Sequence, residues 1–464
     1  MKLEPSPEIL IESLRDIGYS FETAVADIID NSIAANATRV EIFLLPDRLT
    51  NSCSVTIKDN GWGLDRNELI NAMRLGSKSP REKRDPSDLG RFGLGLKTAS
   101  FSQCRKLNVF SRKNDELSGF TWDLDHIAST NEWSLLETTN FLDYPQLNQL
   151  NHDGTVIIWQ NTDRIDGSKI GDYVEKLITH LGIVFHRFIQ PPNHVKVDRK
   201  VEIFVNGNAV VAIDPFCRHN KATQVDDEEY IQNVRMQVYT LPRKEKHKSL
   251  EEYNRYALPG GYQKNQGIYL YRSNRLILWG TWFNLLKKSF DSQLTRVELD
   301  MDNTSDVDWS IDVKKVFAQL PFVVKHRLEK LTNTIPLRSK RTINLAGRAP
   351  IKAESYPVWE FIEKDKSISC RIVKVNPIFK GFLESLSDDQ KQYFLKILKL
   401  LEHSLPIEQI IFRLHQPNSS FNNTDISDAE RESLKNLVLS VFTEQGLGEA
   451  NINEVVKNYQ LEVE

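Results

Sequence analysis

One helical stripe constrains this chain more than any other feature. Residues 21–37, FETAVADIIDNSIAANA, repeat apolar side chains at Ala24, Val25, Ile28, Ile29 and Ile33, close to the 3.6-residue period of an α-helix. Into that run the sequence sets Asp27, Asp30 and Asn31, which at i, i+3 and i+4 share one face. Three oxygen-bearing side chains on an otherwise apolar helix are costly unless something satisfies them. Oxygen donors of this kind suit a hard cation such as Mg²⁺. Taken alone, the stripe also fits the solvated face of an amphipathic helix.

Two further motifs follow. RVEIFLLPD alternates as a strand, and SVTIK (54–58) is a second strand that runs into Asp59-Asn60-Gly61-Trp62-Gly63. A carboxylate at a strand end, followed by closely spaced glycines, can take a hydrogen bond from an exocyclic amine while a flat ligand approaches the backbone. A plain turn accounts for the same residues when they are read in isolation. NELINAMRLG is a short helix, SKSPREKRDPSD a charged surface loop, and Gly90-Arg91-Phe92-Gly93-Leu94-Gly95-Leu96-Lys97-Thr98 a glycine-rich turn that opens a helix. Free backbone N–H groups, the positive helix end and Lys97 together suit an anion. The spacing is not that of a P-loop, and no parallel βαβ unit surrounds it.

The order of the three motifs carries more than each one does. An acid-x-x-x-Asn helix, a strand-end D-x-G-x-G and G-x-x-G-x-G-x-K fall within about 75 residues, with a Gly154-Thr155 strand later. This arrangement resembles the GHKL ATPase superfamily of DNA gyrase, MutL, the large heat-shock chaperones and the histidine kinases. AVADIIDNSIAANA and LGRFGLGLKTASFSQCRKLNV resemble most closely the MORC and prokaryotic MORC-like members. GIYLYRSNRLILWG followed by DWSIDVKKVFAQLP resembles the transducer domain that follows the ATPase in MORC, MutL and gyrase. The likeness covers about residues 5–335.

The resemblance implies ATP and Mg²⁺ as ligands and assigns roles by position. Asp27 stands where the family has its water-activating carboxylate, and Asn31 would hold the metal, with Asp30 either supporting that shell or lying on the helix surface. Asp59 would read the adenine amine with help from Thr155, and Gly61 and Gly63 would let the base approach. Met73 would pack on adenine or serve as plain core. Gly90, Arg91, Phe92, Gly93, Leu94, Gly95, Leu96 and Lys97 would line the β- and γ-phosphates under a lid of residues 76–92, where Ser77 and Lys78 are candidate phosphate contacts. Lys315, or else Lys314, would reach the γ-phosphate from the second domain.

Most of the superfamily uses Glu as the base, and Asp27 is one methylene shorter. Because a base must lie within about 3 Å of the proton it takes, slow hydrolysis is expected. Residues 5–22 would be an N-terminal strap, with Tyr19 reaching across a dimer. The implied function is an ATP-gated dimer clamp in a DNA transaction such as restriction or phage defence. The alternative is a nucleotide-binding scaffold that recruits a nuclease or other effector. A histidine kinase, a chaperone and a type II topoisomerase fit the chain's layout less well.

The expected fold is α+β: a GHKL (Bergerat) sandwich with strap and lid over 1–166, a transducer domain over 167–336, a linker over 337–354 and a helical region over 355–464. The 464 residues carry 60 basic and 63 acidic side chains, which excludes a uniformly basic nucleic-acid coat but not a local patch. Candidate patches are Arg243, Lys244, Lys246 and Lys248, and Arg338, Lys340 and Arg341, although solvated charge runs look the same. Cys53, Cys104, Cys217 and Cys370 lack metal-ligand or disulfide spacing. With no signal peptide and no apolar run of 18, the expectation is a reduced, cytoplasmic protein.

Overall fold

A computed structural model describes residues 5–16, 18–46, 52–76, 95–302, 309, 319–332, 357–364, 367–406, 427–444, 452–453 and 455–456. The chain divides into two compact units, 1–345 and 346–464. Among the described residues, no helix is long and apolar enough to cross a membrane.

The first unit opens with α1 (Pro7–Arg15) and α2 (Phe21–Ala34), then β1 (Arg39–Pro46), β2 (Cys53–Asp59), α3 (Arg66–Met73) and α4 (Gly95–Phe101). It continues through β3 (Lys106–Lys113), β4 (Glu116–Asp123), α5 (Leu124–Thr130), β5 (Leu136–Glu137), β6 (Gly154–Gln160), α6 (Ile170–Val184), α7 (His186–Ile189), β7 (Glu202–Val205) and β8 (Asn208–Ala209). The strands form one sheet in the order β5-β4-β3-β6-β2-β1-β7-β8. Alternation along each strand fixes its two faces. Val40, Ile57, Leu107, Val109 and Trp159 face Val25, Ile28, Ile29, Phe101 and Leu181 of the helical layer. Phe110, Val156 and Ile158 face the other way and are covered by Leu147, Leu150, Phe141 and Tyr144.

A second sheet contains β9 (Gln224–Val225), β10 (Glu229–Ile231), β11 (Val234–Thr240), β12 (Gly267–Arg272), β13 (Arg275–Thr281) and β14 (Thr295–Met301), in the order β10-β11-β14-β12-β13 with β9 on β11. Helices α8 (Leu250–Ala257), α9 (Gly261–Lys264) and α10 (Phe322–Thr332) belong to this part. The expected helix across VKKVFAQLPFVVKHRLEKL is described only from Phe322, after Pro321. Gln319 and Leu320 are not helical, as expected where proline disfavours helical backbone just before it, and residues 313–318 lie outside the described residues.

One layout expectation differs from what is found. The hairpin within KVEIFVNGNAV, placed after the 166/167 boundary, extends the first sheet instead: β7 pairs in parallel with β1 from Arg39↔Glu202 to Ile42↔Val205. The pairing covers the otherwise open edge of β1, a long-range choice that no local pattern encodes. The described part of 355–464 is largely helical, as expected, with a short strand pair added. β15 (Trp359–Lys364) and β16 (Ser367–Ile372) form an antiparallel pair ahead of α11 (Pro377–Ser385), α12 (Asp388–His403) and α13 (Asp428–Glu444). The alternation Ile368, Cys370, Ile372 was the available signal.

A buried charge cluster ties α7 to the second sheet. Glu298, fully buried, accepts from Arg187 of α7, from Arg218 and from the Tyr239 hydroxyl at 2.8 Å, while Arg235 lies 3.2 Å away. The Arg187 guanidinium stacks 3.4 Å from the Tyr271 ring centroid and also pairs with Asp300. Burial alone would push the Glu298 carboxyl up, yet Arg218, His194, Arg187 and Arg235 hold it well below the usual carboxylate range. Removing one partner from such a cluster strands the others as uncompensated buried charge. Glu298→Ala is therefore expected to destabilise the first unit by about 3–5 kcal/mol in urea unfolding, and Tyr239→Phe by far less.

Candidate active site

Helix α2 starts where Ser20 accepts the Thr23 amide at 3.3 Å, an ordinary N-cap. Its acidic stripe does not face solvent. Asp27 is 4% exposed and Asp30 2%, whereas Asn31, one position on, is exposed. The surface reading of Asp30 is thereby removed. Two carboxylates one helical turn apart inside a protein require a cation or a dense set of donors.

The cation comes from the second sheet. Arg275 Nε donates to Asp30 Oδ1 at 2.7 Å, and its Nη2 lies 3.5 Å from Asp27 Oδ1. Arg275 is itself buried and opens β13 directly after Ser273-Asn274, whose φ values of 47° and 70° make the two-residue turn that right-twisted hairpins prefer. The other Asp27 oxygen, Oδ2, accepts the Tyr19 hydroxyl at 2.9 Å. Tyr19, expected to reach across a dimer, is thus engaged within its own chain, because α1 is locked down just before it. Arg15 Nε donates to Phe101 O at 2.9 Å, and Arg15 pairs with Asp163 at 2.5 Å.

Asp59 ends β2 one layer away. Its Oδ1 accepts the Gly61 amide at 2.9 Å, and its Oδ2 accepts the Ser32 hydroxyl of α2 at 2.8 Å. Burial raises its pKa, opposed by the N–H groups of Gly61 and Thr155 and by Ser32. The Thr155 hydroxyl lies 3.0 Å from Ser111 Oγ, which also accepts the Leu64 amide at 2.8 Å. The glycines after Asp59 also answer to the packing of the protein itself. A Cβ on Gly63 (φ 61°) would come within 1.9 Å of Arg112 O, and one on Gly61 within 2.7 Å of Ala35 O. The protein's own backbone, packed against this turn, demands glycine there.

Lys97 lies on α4 and is 2% exposed. Its Nζ donates to Ala72 O at 2.8 Å, among the last carbonyls of α3, where the helix dipole favours a cation. Burial lowers its pKa to about 8. Gly95 and Leu96 start α4, with Leu96 packed on the main core. Met73 is fully buried in that core, and its carbonyl accepts Trp122 Nε1 at 3.0 Å. Ser77, Lys78, Gly90, Arg91, Phe92, Gly93, Leu94, Lys314, Lys315, Arg338, Lys340 and Arg341 lie outside the described residues.

A helix carrying a buried acid and an exposed amide one turn on, beside a strand-end carboxylate, is now joined by a match in sequence. Residues 19–155 match the family of histidine kinase-, DNA gyrase B- and HSP90-like ATPases. This segment is a GHKL-type ATPase domain. The ATPase MORC2B of mouse is 33% identical over 96 residues, 20% of this chain and 9% of that protein. The chaperone protein HtpG of Campylobacter jejuni is 33% identical over 97 residues, 19% of this chain and 15% of its own. The Arabidopsis protein MICRORCHIDIA 6 is 27% identical over 138 residues, 29% of this chain and 18% of its own. The chain thus spans well under two thirds of the length of these relatives.

Within the ATPase domain, three contributors carried no sequence signal of their own: Ser32, Ser111 and, from outside it, Arg275. Each is an ordinary residue of its element until packing brings it to a carboxylate or a turn. Ser32 is the most direct to check. Its loss leaves a buried Asp59 oxygen without a donor, which costs about 1–3 kcal/mol. Ser32→Ala should lower stability in urea unfolding by that amount, with Ser32→Thr recovering most of it.

Proposed function

We propose that this protein binds ATP with Mg²⁺ between α2, the Asp59 end of β2 and the 90–97 segment, and hydrolyses it slowly to drive a conformational switch. The observation that carries the reading is the buried Asp27 on α2 within a domain matched to GHKL ATPases, with its neighbour Asn31 exposed. Asp59, with about four lone-pair sites on its two oxygens, can accept an adenine amine beside the Ser32, Gly61 and Thr155 donors. Among the described residues no three His, Cys, Asp or Glu side chains converge. A magnesium ion here would therefore be held by Asn31, phosphate oxygens and water, as this small hard cation commonly is, and would neutralise phosphate charge.

In the reaction, a water oxygen bonds to the γ-phosphorus as the bond to the bridging β,γ-oxygen breaks, and the water's proton passes to Asp27. Catalysis of this kind rests on positioning and on charge neutralisation, to which Lys97 contributes. One feature of Asp27 favours slow turnover: its short reach, one methylene less than Glu. The nucleotide would draw the second sheet and the ATPase domain together, and hydrolysis would release them. In the fuller reading, two copies close as a clamp. Lys244, Lys246 and Lys248, all exposed, favour DNA as what the clamp holds, with an effector protein as the alternative.

Asp27→Asn should lower the steady-state rate of phosphate release at saturating Mg²⁺ by about a hundredfold or more, while calorimetry shows ATP affinity within a few-fold of wild type. Equal rates would leave a nucleotide-binding scaffold as the better description.

Lys97 supplies a pH signature. With a free-state pKa of about 8, it is charged at neutral pH and loses its proton through the next unit. A phosphate partner favours the charged form, so binding should take up a proton near pH 8.5, and ATP affinity should fall by about tenfold between pH 7 and pH 9. Calorimetry in buffers of different ionisation enthalpy reads both, and Lys97→Met should bind more weakly with that dependence flattened.

A further inference from the structure

We propose that Arg275 of the second sheet is a positioning residue for the hydrolytic step: it fixes the Asp27 carboxylate through a bridge anchored on Asp30. The inference rests on the reading of Asp27 as the base and assigns Asp30 a different task from the metal shell expected for it.

Three observations converge on it. First, the bridge is asymmetric. The Asp30 contact is short at 2.7 Å and the Asp27 contact longer at 3.5 Å, so Asp30 anchors the guanidinium, which then steers Asp27. Second, Asp27 is fixed from two directions. Tyr19 holds Oδ2 at 2.9 Å and Arg275 approaches Oδ1, so donors on both oxygens restrain the carboxylate's rotation. A short carboxylate that must meet an attacking water gains most from such restraint, because a displacement of about 1 Å can cost a hundredfold in rate. Third, the delivery is rigid. Arg275 follows a two-residue turn, its Nη1 also donates to Leu276 O at 3.2 Å, and the turn residue Asn274 donates to Lys196 O at 3.1 Å.

His180 of α6, close to Arg275, is held neutral by burial and by the guanidinium itself, its pKa lowered to about 4. The Phe185 ring lies 5.7 Å from the Arg275 carbon and closes the site with an apolar wall. Arg275 brings positive charge to both acids, and it belongs to a sheet outside the matched ATPase segment. The consequence is that residues 19–155 alone would lack one of the groups that align the base.

The test uses the full chain. Arg275→Met keeps the side chain's bulk and removes its charge. It should lower kcat by about thirtyfold to a hundredfold with KM within twofold, and calorimetry should still give wild-type ATP stoichiometry. Arg275→Lys, which restores the charge, should recover at least tenfold of that loss. A methionine variant with wild-type kcat, a change confined to KM, or a lysine variant no faster than the methionine one would each overturn the proposal. Should Arg275→Met fail to fold, Asp30→Asn decides, since it removes the anchor and leaves the guanidinium: kcat about tenfold down at constant KM supports the bridge, and unchanged kcat refutes it. A wild-type chain that binds ATP without turning it over overturns the hydrolytic reading and the positioning role together, whereas an active wild type matched by its Arg275 variants overturns the positioning role alone.

Discussion

Two negative charges on the buried side of one helix organise this protein. Asp27 and Asp30 lie one turn apart on α2, inside a core built from Ala24, Val25, Ile28 and Ile29, and neither is solvated. Such a pair persists in a folded chain only when the fold brings positive charge or donors to it. Tyr19 arrives from the segment before α2 and Arg275 from a hairpin about 250 residues later. The same helix contributes Ser32 to the buried Asp59, so the base end and the adenine end of the site are linked through one element. Moving α2 would disturb both.

The architecture around α2 follows from that demand. The first sheet supplies a flat apolar face for the helix to lie on, and its β2 ends at Asp59. The second sheet is held by the Glu298 cluster, where arginines from α7, from the loop before β9 and from β11 share one buried carboxylate. Charge thus joins the two sheets at both places, at Glu298 and at Arg275. Geometry at an ion pair is directional and fixes orientation more sharply than apolar contact does. That suits a protein whose proposed work is to register the relative placement of two sheets through a nucleotide.

The ATPase domain and its surroundings also divide what glycine does. Gly63 and Gly61 are required because the backbones of Arg112 and Ala35 press against the turn after Asp59. Two glycines beside a carboxylate read as room for a ligand; close backbone packing is a second reason for them that the sequence does not announce. Lys97 shows the same division: its charge was legible, but its partner in this structure, the carbonyl of Ala72 at the end of α3, was not.

The sequence by itself determined the local elements and their order. Helical period marked α2, alternation marked β1, β2 and the β12–β13 hairpin, and the order of the acidic helix, Asp59-x-Gly-x-Gly and the glycine-rich turn pointed to a GHKL ATPase, which the match over residues 19–155 supports. These signals are short-range, carried by neighbours within a few residues. Tertiary structure alone decided that the 202–209 hairpin extends the first sheet, that Tyr19 turns inward, and that Arg275 meets Asp27 and Asp30. Each of those outcomes pairs groups far apart in the chain, or answers to burial that no single residue can announce. A lone arginine after a tight turn reads as surface until the fold places a buried acid before it.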